Sequence, residues 1–284
     1  MKKSIYIFLI ILILVGVGIR FTLINQDFSA EETDFIGPAL AIMNTGHTTY
    51  YNSEQFPNLV GLFHPPMYNY ILSFIFRISY SEPSARILNI FTSLLIGILI
   101  FIFCLKIING KAGKITGVLA SAMFMINYYS VSSSVLIDID VLSALFVLAF
   151  VFFVCQFEKN QGKYYYLAGI ALFFCLWNRY IIAFLIYFFI GAYILFSKNL
   201  RSKFKNYLFM GLIAGFAFLA SWTVYSTIIE PGNFLGFIMH NFKYYSDVCF
   251  NGACYCAFSK KKRIFIKNSF DLYIKHIIIF LCSS

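Results

Sequence analysis

Acidic side chains and one histidine interrupt an otherwise apolar sequence at two nearby places. Glu31, Glu32 and Asp34 stand together in a short polar stretch, and His64 follows about thirty residues later, directly before a Pro-Pro pair. A carboxylate can act as a general base, and a histidine beside an acid can carry positive charge. This combination next to apolar segments predicts chemistry on a lipid-borne substrate at a membrane surface.

Three further ionisable residues stand at the ends of later apolar runs. Asp138 and Asp140 precede one such run, and Arg179 separates two short ones. A cation at membrane depth that stands against the charge trend is a functional candidate by default, which makes Arg179 a candidate for phosphate binding. Solvated helix capping remains an alternative for the two acids, and snorkelling of the guanidinium to the interface remains one for Arg179. Arg86 is interpreted as structural.

Composition places the chain among polytopic membrane proteins. Hydrophobic residues make up 60% of its 284 residues and charged residues only 12%, whereas soluble domains carry roughly 25% charge. The net charge is +10, but the basic residues lie mostly between apolar runs. They therefore indicate membrane topology, and no nucleic acid partner is expected.

The apolar runs predict about seven transmembrane helices. The first run covers residues 4–19 and is interpreted as an uncleaved anchor, and the others are 84–108, 115–130, 141–157, 164–177, 180–196 and 207–229. Groups of lysine and arginine fall in every second gap, and the other gaps hold the candidate carboxylates, Arg179 and Glu230. The positive-inside rule then predicts a cytoplasmic N-terminus and an extracytoplasmic active face, in a cell membrane.

The long first outer loop is expected to contain two helices that lie at the membrane interface. Ser29-x-x-Glu32 has the form of a capping box, which predicts a helix through Met43 that ends near Gly46. The second segment, 67–78, is apolar and aromatic but too short to span a bilayer.

The last part of the chain, residues 249–284, departs from the alternation of charge. It contains a strongly basic run and a mixed apolar segment, and it is interpreted as a divergent, truncated or frameshifted tail after a module covering 1–248. Cys249, Cys254 and Cys256 have no adjacent histidine, so no metal site is expected there.

The order of these motifs resembles the GT-C glycosyltransferases. The similar group is that of the dolichyl-phosphate-mannose-protein mannosyltransferases and the bacterial aminoarabinose transferase. The resemblance covers about residues 1–248 and is carried by Glu31-Glu32, His64-Pro-Pro-Met-Tyr-Asn-Tyr70, Ser84-Ala-Arg86, Asp138-Ile-Asp140 and Trp177-Asn-Arg179. His240, in a later aromatic stretch, also falls near a family position.

The resemblance implies an all-α membrane fold of GT-C type and a sugar transferase activity. A polyprenyl-phosphate sugar would be the donor, and a protein, a lipid or a glycan would be the acceptor. Glu31 would be the catalytic base, with Glu32 as the second catalytic candidate. His64, Asp138, Asp140, Arg179 and His240 would bind substrate. No cofactor is implied with certainty, and a requirement for a divalent metal stays open.

Two alternatives remain at this stage. The chain could be an inactive, truncated fragment of such an enzyme, because relatives usually continue through further spans. It could also be a non-enzymatic membrane protein such as a transporter, although transporters usually show polar residues in mid-span and an internal repeat.

Overall fold

The computed structural model describes residues 2–26, 32–47, 65–108, 110–160, 162–196 and 204–225. These residues belong to one compact unit, Met1–Gly232, and they contain helices and connecting turns but no strand. In chain order the helices are α1 (Lys2–Thr22), α2 (Thr33–Thr45), α3 (Met67–Ile78), α4 (Glu82–Ile107), α5 (Gly110–Ile126), α6 (Tyr128–Val135), α7 (Asp140–Asn160), α8 (Lys163–Phe196) and α9 (Phe204–Val224).

Four of the described helices are long and apolar enough to cross a membrane. By length and composition they are Glu82–Ile107, Asp140–Phe157, Tyr164–Phe188 and Lys205–Val224, and α5 with α6 makes a fifth if that bent pair is one span. Tyr164–Phe188 contains a non-helical residue at Arg179, so its two parts are separate helices. Ile7–Thr22 is a shorter apolar helix. Large apolar side chains such as Phe188 and Phe216 are 70% and 74% exposed, as lipid-facing residues would be. The all-α polytopic membrane fold is thus confirmed, and the count of seven spans stays a prediction.

The segment expected to be one span over 115–130 is broken. α5 ends at Ile126, and α6 leaves at an angle of 56° after Asn127. The side-chain oxygen of Asn127 accepts hydrogen bonds from the backbone N–H groups of Tyr129 and Ser130. A side chain that caps the new helix satisfies its first donors, so Asn127 starts α6 inside the segment expected to be one span.

The predicted gap between 164–177 and 180–196 is confirmed as a break at Arg179. Its backbone angles are not helical (φ −152°, ψ 91°). Before the break, Gly169 lies beside Met210 of α9, and the indole N–H of Trp177 donates to Ser221 Oγ at 2.8 Å. After the break, the Tyr187 hydroxyl donates to the carbonyl oxygen of Gly211 at 2.9 Å. The part of α8 before Arg179 therefore runs parallel to α9, and the part after Arg179 runs back antiparallel to it.

The two expected helices of the first loop are present as α2 and α3. α3 has the predicted bounds, and α2 ends at Gly46, whose left-handed backbone (φ 78°) lets its N–H donate to the Ile42 carbonyl. The expected capping box pairs Ser29 with Glu32, and Ser29 lies outside the described residues, so the box stays a prediction. In the described part of the chain α2 begins at Thr33 after Glu32, whose side chain does not cap α2. Glu32 is fully buried, and its carboxylate accepts from Arg86.

α2 and α3 pack over one end of α4 and the start of α7. Their shared core contains Phe35, Tyr68, Leu72, Ile137 and Leu142. Phe35 and Tyr68 meet edge to face with ring centroids 5.5 Å apart. This core fixes the loop before α7, which carries Asp138 and leads directly into Asp140, against the first outer-loop helices.

Candidate functional site

Glu32 and Arg86 form a buried ion pair at the centre of this end of the bundle. Arg86 Nε lies 3.2 Å from Glu32 Oε1, and Arg86 Nη2 lies 3.2 Å from Glu32 Oε2. The two side chains are 0% and 1% exposed. The backbone N–H of Ile137 also donates to Glu32 Oε1, at 2.9 Å. Glu32 therefore joins α4 to the loop before α7.

Arg86 also holds the end of α1. Its Nη1 donates to the backbone oxygens of Ile24 and Gln26, both at 2.7 Å. A planar guanidinium can serve a carboxylate and two carbonyls at once because its five donors point in fixed directions. The interpretation of Arg86 as structural agrees with these contacts. Glu31, next to Glu32 in the chain, lies outside the described residues.

Asn89 fixes the loop that carries Asp138. Its Nδ2 donates to the backbone oxygens of Leu136 and Asp138, at 2.6 and 2.7 Å. The Tyr68 hydroxyl donates to Asn89 Oδ1 at 3.3 Å. Burial raises the pKa of Tyr68, and the nearby carboxylates of Asp138 and Glu32 raise it further. The phenol therefore stays protonated and keeps its role as the donor to Asn89.

Asp140 and Arg179 form an ion pair at the break in α8. Arg179 Nη1 contacts Asp140 Oδ1, and the side chains are 30% and 49% exposed respectively. Both are thus accessible, unlike the Glu32–Arg86 pair. Nearby, Asn178 Nδ2 donates to Ile139 O at 3.0 Å and to Ser143 Oγ at 2.7 Å. Asn178 is fully buried, so it fixes the start of α7 against the break.

Asp140 lies between two cavities. The first, called the hydroxyl cavity, has a volume of about 510 Å³ and is lined by Asn127, Tyr129, Ser130 and Ser133 at the α5–α6 break. The second, called the apolar cavity, has a volume of about 650 Å³. Arg179 lines it together with a row of aliphatic side chains from α7 and α8, namely Val147, Leu148, Val151, Ile182 and Leu185.

The structure brings Asp140 and Arg179 together and ties Glu32 to the loop that contains Asp138. Glu31, His64 and His240 lie outside the described residues, so the predicted convergence of Arg179 and His64 on one phosphate stays a prediction. Within the described residues, no group of three His, Cys, Asp or Glu side chains could hold a metal ion.

Sequence reasoning missed three buried polar residues that organise this end. They are Arg20, Asn89 and Asn178, which are all 0% exposed. Each follows or interrupts an apolar run, and a strongly polar side chain in such a run is costly unless it is bonded. That signal could have identified them.

Comparison with known proteins gives one match. A search of curated proteins found none, and a search of solved structures found none. The family model described as dolichyl-phosphate-mannose-protein mannosyltransferase matches residues 63–225, which is more than half of the chain. The matched region runs from the residue before His64 through α9 and contains the Asp140–Arg179 pair. The chain therefore belongs to the dolichyl-phosphate-mannose-protein mannosyltransferase family of membrane glycosyltransferases.

Proposed function

We propose that the protein transfers a sugar from a polyprenyl-phosphate donor to a protein, lipid or glycan acceptor at the extracytoplasmic face of a cell membrane. The observation that carries the proposal is the accessible Asp140–Arg179 pair at the head of an apolar cavity. A charged head beside an aliphatic groove matches the chemistry of a lipid phosphate.

The apolar cavity supplies the binding site for the lipid tail. Its aliphatic lining extends along α7 from Asp140 to Val151, which is about 16 Å at the rise of an α-helix. A polyprenyl chain contains no hydrogen-bonding group, so such a lining is suited to it. The groove also has Arg179 at its polar end, where the phosphate would lie.

Arg179 supplies positive charge to the phosphate. One of its nitrogens contacts Asp140, and within the described residues its other nitrogens have no partner. Those donors can bind two phosphate oxygens, because the guanidinium is planar and its N–H groups diverge in pairs. Asp140 then orients the guanidinium from the opposite side, and His64 is proposed as a second cation.

Glu31 is the proposed base. It removes the proton from the acceptor hydroxyl or amine while that atom forms a bond to the anomeric carbon. The bond from the anomeric carbon to the phosphate oxygen breaks at the same time, and the polyprenyl phosphate leaves with its electron pair, stabilised by Arg179. Asp138 and His240 are proposed to bind the sugar or the acceptor, and metal dependence stays open.

Two short links support a common location for the proposed base and the proposed phosphate site. The Glu32 carboxylate accepts from the N–H of Ile137, and Asp140 follows only three residues later. Three residues span at most about 11 Å. Glu31 is bonded to Glu32, and Arg179 contacts Asp140. This proximity supports the proposed catalytic arrangement, in which Glu32 positions the base.

A photoreactive polyprenyl phosphate tests the donor site. With the reactive group in the lipid tail, the probe should label the peptides that contain Val151 and Ile182 in the purified chain. Arg179→Met should reduce labelling by about tenfold, since it removes charge-assisted hydrogen bonds to the phosphate. Arg77→Met is the matched control, because Arg77 is an exposed arginine of α3. Equal labelling of both variants would contradict the proposed phosphate site.

A further inference from the structure

Arg20 is a fully buried cation whose partners are all neutral. Its side chain is 0% exposed at the end of α1. It donates to Ser134 Oγ at 2.7 Å, to the backbone oxygens of Gly16 and Met125 at 2.8 and 2.7 Å, and to Ser130 Oγ at 3.0 Å. No carboxylate forms an ion pair with it among the described residues. Its charge is therefore uncompensated, which is costly in a membrane protein.

Ser130 connects this charge with the hydroxyl cavity. Its oxygen accepts from Arg20 Nη2, and the same side chain lines the cavity. Within the described residues, the Ser130 hydroxyl donates no hydrogen bond. A hydroxyl that accepts from a guanidinium is polarised, so its proton is a strong donor toward a ligand in the cavity.

The part of the hydroxyl cavity that is lined by Asn127 and α6 is rich in hydrogen-bond donors. Asn127 uses its side-chain oxygen to cap α6, which leaves its amide N–H groups for other partners. Ser133 and Tyr129 contribute two more hydroxyls. Asp140 also lines the cavity, and its carboxylate is paired with Arg179. The excess of donors together with Arg20 favours an anionic, oxygen-rich head group.

The part of the same cavity that is lined by α4 and the end of α5 is apolar. Met123 and Phe124 precede Asn127 by about one helical turn, and Ile96 faces them from α4. Met123 is 70% exposed, and Tyr129 at the polar end is 73% exposed. A ligand with an anionic head and an apolar body fits this lining, whereas a free phosphate or a soluble peptide would leave the apolar part unused.

We infer that the hydroxyl cavity binds an anionic phospholipid of the surrounding membrane, with its phosphate near Ser130 and Ser133 and one acyl chain against Met123 and Phe124. This lipid is distinct from the proposed sugar donor, whose site lies beyond Asp140 in the apolar cavity. The inference does not require transfer activity. It assigns Arg20 the role of a buried counter-charge that acts on the phosphate through Ser130.

Lipid photolabelling of the purified chain in phosphatidylcholine nanodiscs tests this site. The probe is a phosphatidic acid with a diazirine in one acyl chain, and a diacylglycerol with the same chains is the comparison. Phosphatidic acid should label the peptide that contains Met123 and Phe124 about tenfold more strongly than diacylglycerol. The reason is that, of the two probes, phosphatidic acid alone carries a phosphate that can accept from Ser130 and Ser133.

Variants of α6 supply the matched controls. Replacing Ser130 and Ser133 together by Ala should reduce the labelling by phosphatidic acid about tenfold, whereas Ser132→Ala should leave it unchanged, since Ser132 does not line the cavity. If the double variant loses helix content, the labelling of the single variant Ser133→Ala is compared with that of the natural chain. Ser133 makes no bond to Arg20, and the single variant should still reduce labelling.

Several results would overturn the inference. They are equal labelling by the two probes, labelling unchanged by the serine variants, and labelling confined to the lipid-facing side of α9. Displacement of phosphatidic acid by excess polyprenyl phosphate would also overturn it, because the cavity would then belong to the donor. Failure of polyprenyl phosphate to label the apolar cavity would instead contradict the proposed function alone.

Discussion

Arg86 and Glu32 are 54 residues apart in sequence and form a two-point ion pair in which neither side chain is more than 1% exposed. The pair joins the ends of α1, α2 and α4 and, through the N–H of Ile137, the loop before α7. We propose that this buried pair positions the adjacent Glu31, the proposed base.

Removing one partner of the pair should strongly destabilise the protein. Glu32→Gln leaves the charge of Arg86 buried without its carboxylate, and we expect a loss of about 3 kcal/mol in the free energy of unfolding. A role of Glu32 in a capping box would instead predict a loss of about 1 kcal/mol or less. Denaturant titration in detergent micelles measures the difference. Glu82→Gln, at an exposed glutamate of α4, is the control and should change little.

Arg20 should be equally intolerant of replacement. Arg20→Met leaves buried acceptors of α5 and α6 without donors, and we expect a loss of more than about 3 kcal/mol. Arg20→Lys should recover only part of this loss, because an ammonium group cannot reach all four acceptors. Thermal unfolding of the two variants against the exposed Arg77→Met tests the expectation. If the Arg20→Met variant unfolds at the same temperature as the natural protein, the guanidinium does not have this structural role.

The reversal of α8 at Arg179 makes a prediction about membrane topology. In a variant without the native cysteines, Lys163→Cys and Lys198→Cys should react with an impermeant thiol reagent from the cytoplasmic side only. Asn52→Cys should react from the outside only. The ends of a single straight span would lie on opposite sides, so labelling of residues 163 and 198 from opposite sides would exclude the reversal.

The Asp140–Arg179 pair should matter for catalysis more than for stability. Partly exposed ion pairs typically contribute about 0–1 kcal/mol, so Asp140→Asn should shift the free energy of unfolding by no more than that. Arg179→Lys should lower kcat/KM for the donor by about tenfold or more, because lysine cannot form a planar two-point contact with phosphate. Normal kcat/KM in Arg179→Lys would mean that only charge, or another residue, serves the phosphate.

The features that depend on hydropathy and local turn signals could be predicted from the sequence. The fold class, the bounds of α3, the end of α2 at Gly46 and the break at Arg179 agree with the structure. These features rest on apolar runs, a glycine that adopts a left-handed backbone, and an isolated cation between two short runs.

Long-range pairing was not predictable from those signals. Glu32 has the sequence context of a capping residue, and local patterns gave no sign that a buried arginine from α4 would bind its carboxylate. Asn127 starts a new helix within the expected span 115–130, because its side chain caps α6 and Arg20 binds the carbonyl of Met125 beside the break. Such contacts depend on which helices become neighbours, and local patterns do not encode that information.

Transfer by the reconstituted protein tests the proposed reaction through Glu31. Proteoliposomes receive a panel of polyprenyl-phosphate sugars, beginning with the mannose donor, and release of polyprenyl phosphate is followed with time. The natural chain should release it, and Glu31→Gln should be at least about 100-fold slower with unchanged thermal stability, because it loses the proton acceptor but keeps its shape. Turnover of Glu31→Gln near the natural rate, or no release from any donor, would contradict carboxylate-assisted transfer by this chain.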